Sequence, residues 1–259
     1  MELFLIILFV LAALVLIFGL MIRLRRKTFI PQPIPESFRQ ILLSDVLFYT
    51  TLDENRKKEF ETRMMHFLAR TRITGVKTDI DDHDKVYIAA SAIIPIFGFA
   101  GWEYNNLNEV LVYPDSFNHD FEQKGEDRNI LGMVGDGAYN RIMILSRNEL
   151  RQAFLNKTGK TNTALHEFVH LIDKTDGSTD GVPEFFINHQ YVLPWLQLMQ
   201  NEIKKILANH SDINPYGATN QAEFFAVVSE YFFERPDLLE SKHPELYALL
   251  VKIFRQHPG

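Results

Sequence analysis

The rhythm of apolar and polar positions changes several times along this chain. Residues 3–22, LFLIILFVLAALVLIFGLMI, run for twenty residues without a charge. As a helix, that length covers about 30 Å, the thickness of a bilayer core, and the segment is apolar on every side, so it predicts one transmembrane helix. Pro31-Gln32-Pro33-Ile34-Pro35 follows as a stiff, extended spacer. From Phe38 to about Arg72 the spacing is helical, and Glu54–Arg70 is rich in helix formers. A further helix begins near Asp84 and stays apolar through Phe99. Asn108–Pro114 alternates as a strand does, and Arg141–Ser146 is a second strand candidate. The pattern turns helical again at Glu149. The next helix places Leu165, Phe168, Val169 and Ile172 at i, i+3, i+4 and i+7, a stripe that docks on a core. Thr161 or Asn162 can cap its start, and Asp176-Gly177 is a stop signal. Residues 176–190 read as a loop, Val192–Ala208 as a helix, Asn214–Asn220 as a loop and Gln221–Phe233 as a helix. The tail from Pro236 is helical, and no internal repeat is present. The class is α+β, helix-dominated with a small sheet.

Charges around the first segment bear on its fate. A cleaved secretory signal wants a basic start, a shorter apolar stretch and a small-residue cleavage site. Here Glu2 is the only early charge, and Arg23, Arg25, Arg26 and Lys27 come after the segment. That favours an uncleaved anchor in the inner membrane, with the basic end and everything beyond it in the cytoplasm. The domains expected are a transmembrane anchor over 1–22, a basic and Pro-rich linker over 23–37, and one further domain over 38–259. The net charge is −6 over the whole chain, and residues 28–259 alone carry −9, so no nucleic-acid surface is expected. There is no cysteine, which excludes disulfides and thiolate metal sites.

The candidate chemistry lies in His166-Glu167-Phe168-Val169-His170, an H-E-x-x-H sequence. On a helix the two histidines project from one side, one turn apart, where they can share a zinc ion. Glu167 can then deprotonate a water held by the metal. His166, His170 and Asp173 form a stripe about 100° around the helix from the apolar one, at the edge of a buried face where a cleft can form. The alternative is a solvated helix face that happens to carry two histidines. The strand Ile142–Ser146 could offer an exposed edge to an extended peptide, or be an ordinary structural strand. Gly159-Lys160-Thr161 ends like a P-loop, but Phe154 stands where its first glycine is required.

A catalytic zinc takes three protein ligands and one water. A metzincin would continue H-x-x-G-x-x-H, and here Asp173 and Asp176 occupy those positions. Asp176, Glu184 and His189 are candidates for the third ligand. Glu223 is the strongest. The helix EFFAVVSEYFF, residues 223–233, is apolar almost all round, and Glu223 and Glu230 interrupt it seven residues apart. A buried carboxylate is costly unless it meets a cation or strong donors. Glu223 can meet zinc, and Glu230 can accept from the other nitrogen of a ligand histidine. The competing use of Glu223 is a capping box with Asn220. Tyr216, seven residues before Glu223, can reach the oxyanion of a tetrahedral intermediate, or simply pack on the domain.

Taken together, H-E-F-V-H, D-x-x-D-G and N-P-Y-G-A-T-N-Q-A-E-F-F-A-V-V-S-E-Y-F-F resemble the MtfA (Mlc titration factor A) family of bacterial zinc-dependent peptidases. The resemblance runs from about Tyr49 to the C-terminus, and includes KVYIAASAIIPIFGF and EVLVYP. It implies a zincin-like metallopeptidase domain of gluzincin type. On these positions it implies His166, His170 and Glu223 as ligands of one Zn2+ ion, Glu167 as base and Tyr216 as oxyanion donor. It also implies a peptide or protein substrate, and aminopeptidase activity. The chain departs in two respects. Soluble relatives bind the repressor Mlc, whereas this chain begins with the apolar segment. It also lacks G-x-M-E-N, and Gly101-Trp102-Glu103-Tyr104-Asn105 has its glutamate at the wrong offset. The competing class is a regulatory binding protein that captures a transcription regulator or a membrane partner, with peptidase activity incidental.

Overall fold

Two helices buried on almost every side organise the domain, and both follow from largely apolar runs that begin at polar N-caps. The computed structural model describes residues 32–116, 131–135, 140–156 and 158–258. By contacts, the chain divides into residues 1–32 and a compact unit, Pro33–Gly259. That unit opens with α1 (Glu36–Asp45), α2 (Leu47–Thr51) and α3 (Glu54–Arg70). The single helical stretch expected from Phe38 to Arg72 is thus three helices. The chain is extended at Val46 and Leu52, and Asp53 starts α3 by accepting the backbone N–H groups of Asn55 and Arg56.

Strand β1 (Arg72–Gly75) leads to α4 (Asp82–Ile96). A capping box between Asp81 and Asp84 begins α4, and every residue from Val86 to Ile96 is buried. Next come β2 (Glu109–Tyr113), β3 (Gly132–Val134) and β4 (Ile142–Ser146). Ser146 caps α5 (Arg147–Leu155), and Arg147 and Arg151 fasten that helix to α4 through Asp84, each with a 2.9 Å contact. Helix α6 (Thr163–Asp173) carries the H-E-x-x-H sequence. Then follow α7 (Val192–Leu207), α8 (Gln221–Glu234), α9 (Pro236–Lys242) and α10 (Pro244–Phe254).

The sheet has the order β1-β2-β4-β3. β1, β2 and β4 are parallel, with Ile73 opposite Val110 and Val110 opposite Met143. β3 runs antiparallel to β4, with Met133 opposite Ile144. The strand at the cleft edge is therefore β3. Ile142–Ser146 is paired on both sides, so it has no free edge for a peptide.

Helix α6 packs against α4, α8, β3 and β4. Phe168, between the proposed base and the second histidine, is held by the rings of Tyr104 and Phe67 at 5.1 and 5.7 Å. From Phe224 to Phe233 every residue of α8 is buried, and Phe224 and Phe225 meet Trp195 of α7.

One expectation is corrected. Residues 3–22 lie outside the described residues, and among the described residues no helix is long and apolar enough to cross a membrane. A span needs about 20 apolar helical residues, and the longest described helix, α3, has 17 and is studded with charges. Over the described residues the fold class is a helix-rich α+β domain with a small sheet, and none of their helices is a transmembrane one. The single-pass inner-membrane location and the membrane as a partner through residues 3–22 are withdrawn with it.

Candidate metal centre

Asn162 begins α6 by accepting the Leu165 N–H at 3.0 Å, and Gly177, at φ 101°, closes the turn after it. Between them the apolar stripe is fully buried, and His166 and His170 emerge one turn apart beside α8. Asn220 caps α8 by accepting the Glu223 N–H at 2.9 Å. That is half of the capping box the sequence allows. The Glu223 carboxylate turns to the histidines instead.

Glu223 Oε2 lies 2.9 Å from His166 Nε2 and 3.5 Å from His170 Nε2, and the two Nε2 atoms are 3.1 Å apart. Ligand atoms at metal bonds of about 2.0–2.2 Å stand about 3.3–3.5 Å apart around a tetrahedral ion. The triangle is close to that size, with one side at 3.5 Å and the other two shorter, at 2.9 and 3.1 Å. Among the described residues, His166, His170 and Glu223 are the group whose atoms converge in this way. Asp176 instead closes its own turn by accepting from the Ser178 N–H and hydroxyl, and Glu184 and His189 are exposed outside the group.

The electrostatics call for a cation. Glu230 Oε1 sits 2.7 Å from His166 Nδ1. A carboxylate accepts, so Nδ1 carries a hydrogen toward Glu230, and Nε2 faces Glu223 and His170, where it donates to Glu223 when protonated and offers its lone pair to a cation when not. Burial works against a charged His166, yet Glu223 and Glu230 outweigh it and lift its pKa to about 10. Burial likewise raises Glu223, and the two histidines outweigh it and bring it down to about 2.

Glu167 is 6% exposed, and burial raises its carboxyl above the usual range against the pull of His166 and His170. Strand β3 lies directly on it. A Cβ built on Gly132 would meet Glu167 Cγ and Oε1 at 2.8 Å and Thr163 Cγ2 at 2.9 Å. Tyr216 sits on the short turn Pro215–Ala218, which Asn214 starts by accepting the Tyr216 N–H at 3.0 Å. Its ring is 52% exposed and 6.0 Å from the His166 ring. Burial and the charges of Glu223 and Glu167 raise its phenol, keeping it a donor. A cleft of about 710 Å³ opens here, between Gly132–Val134 on one side and Tyr216 and Asn220–Glu223 on the other.

Asp173 is not in the triangle. Its Oδ2 accepts the Gly181 N–H at 2.8 Å, and burial raises it to about 6. Gly181 itself has φ 76° and would drive a Cβ to 2.3 Å from Gln221 O, so the loop after α6 is pinned against the start of α8. Three features of the site were not legible in the sequence: strand β3, the close approach of Gly132, and Glu234. Glu234 Oε1 accepts the Asn162 side-chain N–H at 2.8 Å, and Asn162 N donates to Glu230 Oε2 at 2.5 Å. The spacing of Glu223, Glu230 and Glu234 on an apolar helix was the available signal.

A helix-rich α+β domain whose H-E-x-x-H histidines meet a distant carboxylate beside a cleft has the build of a metallopeptidase. The chain belongs to the glucose-regulated metallo-peptidase M90 family, whose profile matches residues 21–255. It is 29% identical over 247 residues to an uncharacterized protein of Synechocystis sp., covering 90% of this chain and 89% of that one. Mlc titration factor A of Pectobacterium atrosepticum is 29% identical over 185 residues, 66% of this chain and 68% of that one. Mlc titration factor A of Escherichia coli (strain K12 / DH10B) is 26% identical over 250 residues, 88% and 91% of the two chains. These matches agree with the resemblance read from the motifs.

Burial lifts Glu234 to about 7, against the Asn162 hydrogen bond and with the charge of Glu230 adding to it. A carboxyl raised in the fold favours folding at low pH, and this contribution is lost as pH rises from about 4.5 through 7. Glu234→Gln is therefore expected to raise stability in urea at pH 8 by on the order of 2 kcal/mol. The gain should shrink steadily as pH approaches 4.5. A gain that is the same at every pH would contradict the assignment.

Proposed function

We propose that the chain is a zinc-dependent peptidase of gluzincin type, with His166, His170 and Glu223 as the metal ligands. The observation that supports it most is the triangle of two Nε2 atoms and one carboxylate oxygen beside a buried Glu167. The donor set of two imidazoles and a carboxylate suits zinc. When bound, zinc supplies Lewis acidity toward a peptide carbonyl and lowers the pKa of water at its open position. Glu167 is the general base. Its raised pKa favours taking a proton from the attacking water and then passing it to the leaving amine. The Tyr216 phenol donates to the oxyanion. The outer edge of β3 has no partner strand among the described residues, and an extended peptide can pair with it along the cleft.

A second reading comes from relatives named Mlc titration factor A. It makes the domain a binding protein that captures a regulator, with peptidase activity incidental. Glu167→Gln separates the two. It should lower kcat on a peptide library about 10²–10⁴-fold while zinc stays bound. A variant without peptidase activity that keeps every cellular effect of the wild type would favour capture. Metal analysis tests the third ligand. Glu223→Ala should lose zinc on dialysis and Asp176→Ala should keep it, and the reverse result would sink the gluzincin assignment. Gly132→Ala pushes on the base without touching a ligand. It should retain zinc and KM but lose about tenfold to a hundredfold in kcat, and unchanged kcat would mean that Glu167 tolerates the shift.

A further inference from the structure

The two histidines sit on α6 and Glu223 on α8, so the size of the triangle depends on how one helix is set against the other. One residue touches both helices at three points, two through its side chain and one through its backbone. Asn162 is 1% exposed. Its Oδ1 caps α6 at Leu165 N, its backbone N–H donates to Glu230 Oε2, and its Nδ2 donates to Glu234 Oε1. Glu230 spends its other oxygen on His166 Nδ1. The glutamates of α8 at 223, 230 and 234 therefore all face α6, two of them meeting at Asn162.

Only a carboxamide fits this position. It must accept toward the helix and donate toward a carboxylate at once. An aspartate would cap equally well, but it has no donor and sets a third negative charge beside Glu230 and Glu234. We propose that Asn162 and Glu234 are positioning residues, whose hydrogen bond fixes the register of α6 on α8 and so holds His166 and His170 at metal-binding distance from Glu223. The proposal rests on the His–His–Glu site, and its test separates the two.

Asn162→Asp should weaken zinc affinity, measured against a competing chelator, about 10- to 100-fold, the range seen when hydrogen bonds behind a metal site are lost. The visible absorption of the cobalt(II)-loaded protein should change with it. Glu234→Gln keeps an acceptor and should bind zinc like the wild type. The double variant Asn162→Asp/Glu234→Gln reverses the hydrogen bond, with glutamine donating to aspartate, and should recover about tenfold of the loss. General destabilisation gives no reason for that rescue. Should Asn162→Asp fail to fold, Glu234→Leu leaves the cap intact and should show the same loss of affinity. Wild-type affinity and cobalt spectrum in Asn162→Asp or in Glu234→Leu overturns the proposal, and so does a double variant no better than Asn162→Asp. His166→Ala is the control. If it retains zinc, the metal site itself is misassigned; if it loses zinc while Asn162→Asp does not, the positioning role alone fails.

Discussion

A carboxylate inside an apolar helix has to be met by a cation or by strong donors, because an unmatched buried charge costs several kcal/mol. Helix α8 carries three such groups along a face otherwise made of Phe, Val, Ala and Tyr. Each finds its partner on one neighbour. Glu223 meets His166 and His170, Glu230 meets His166 Nδ1 and the Asn162 N–H, and Glu234 meets the Asn162 amide. The contact between α6 and α8 is thus specified by charge and hydrogen bonding as well as by packing. The other elements serve it: α4 lies against both helices, and the sheet closes the remaining side of α6.

Glu167, like Glu234, is matched less completely than Glu223. It is buried beside the cluster, and the histidines lower its pKa less than burial raises it. The same electrostatics that stabilise Glu223 as an anion therefore leave Glu167 inclined to hold a proton. Two carboxylates within one site are pushed in opposite directions, one towards its ionised form and the other towards its protonated form. Position on the helix makes the difference, since residue 167 is turned from the histidine stripe towards β3.

Much of this was legible in the chain. The stripe through Leu165, Phe168, Val169 and Ile172, a cap at Thr161 or Asn162 and a stop at Asp176-Gly177 bracket α6 to within a few residues. Glu223 stood out because a charge in an apolar helix needs a reason. What escaped were elements too short to have a period. Gly132–Val134 is three half-buried residues, and Arg72–Gly75 is four beginning with an exposed arginine, so neither shows alternation. The run Ile142–Ser146 reads as a strand, but continuous burial is the mark of a strand covered on both faces and says nothing about its place in the sheet. The breaks at Val46 and Leu52 interrupt a helical pattern without a glycine, and only Asp53 advertises the restart.

The harder gap lies between a ligand set and a site. Side-chain spacing within α6 fixes the separation of the two histidines, because helix geometry does. No local rule fixes their distance to a carboxylate fifty residues further on. That distance comes from contacts that look incidental in sequence: an asparagine that reads as an ordinary cap, a glutamate at the end of α8, an aspartate that ties Gly181 to α6 where Gly181 packs closely on Gln221. A cap needs only an acceptor, so Ser, Thr or Asp would serve α6 alone. The donor half of Asn162 has no use within its own helix. Its use is across the interface, which is why a residue that a single-helix reading treats as interchangeable is tied to the geometry of the metal centre.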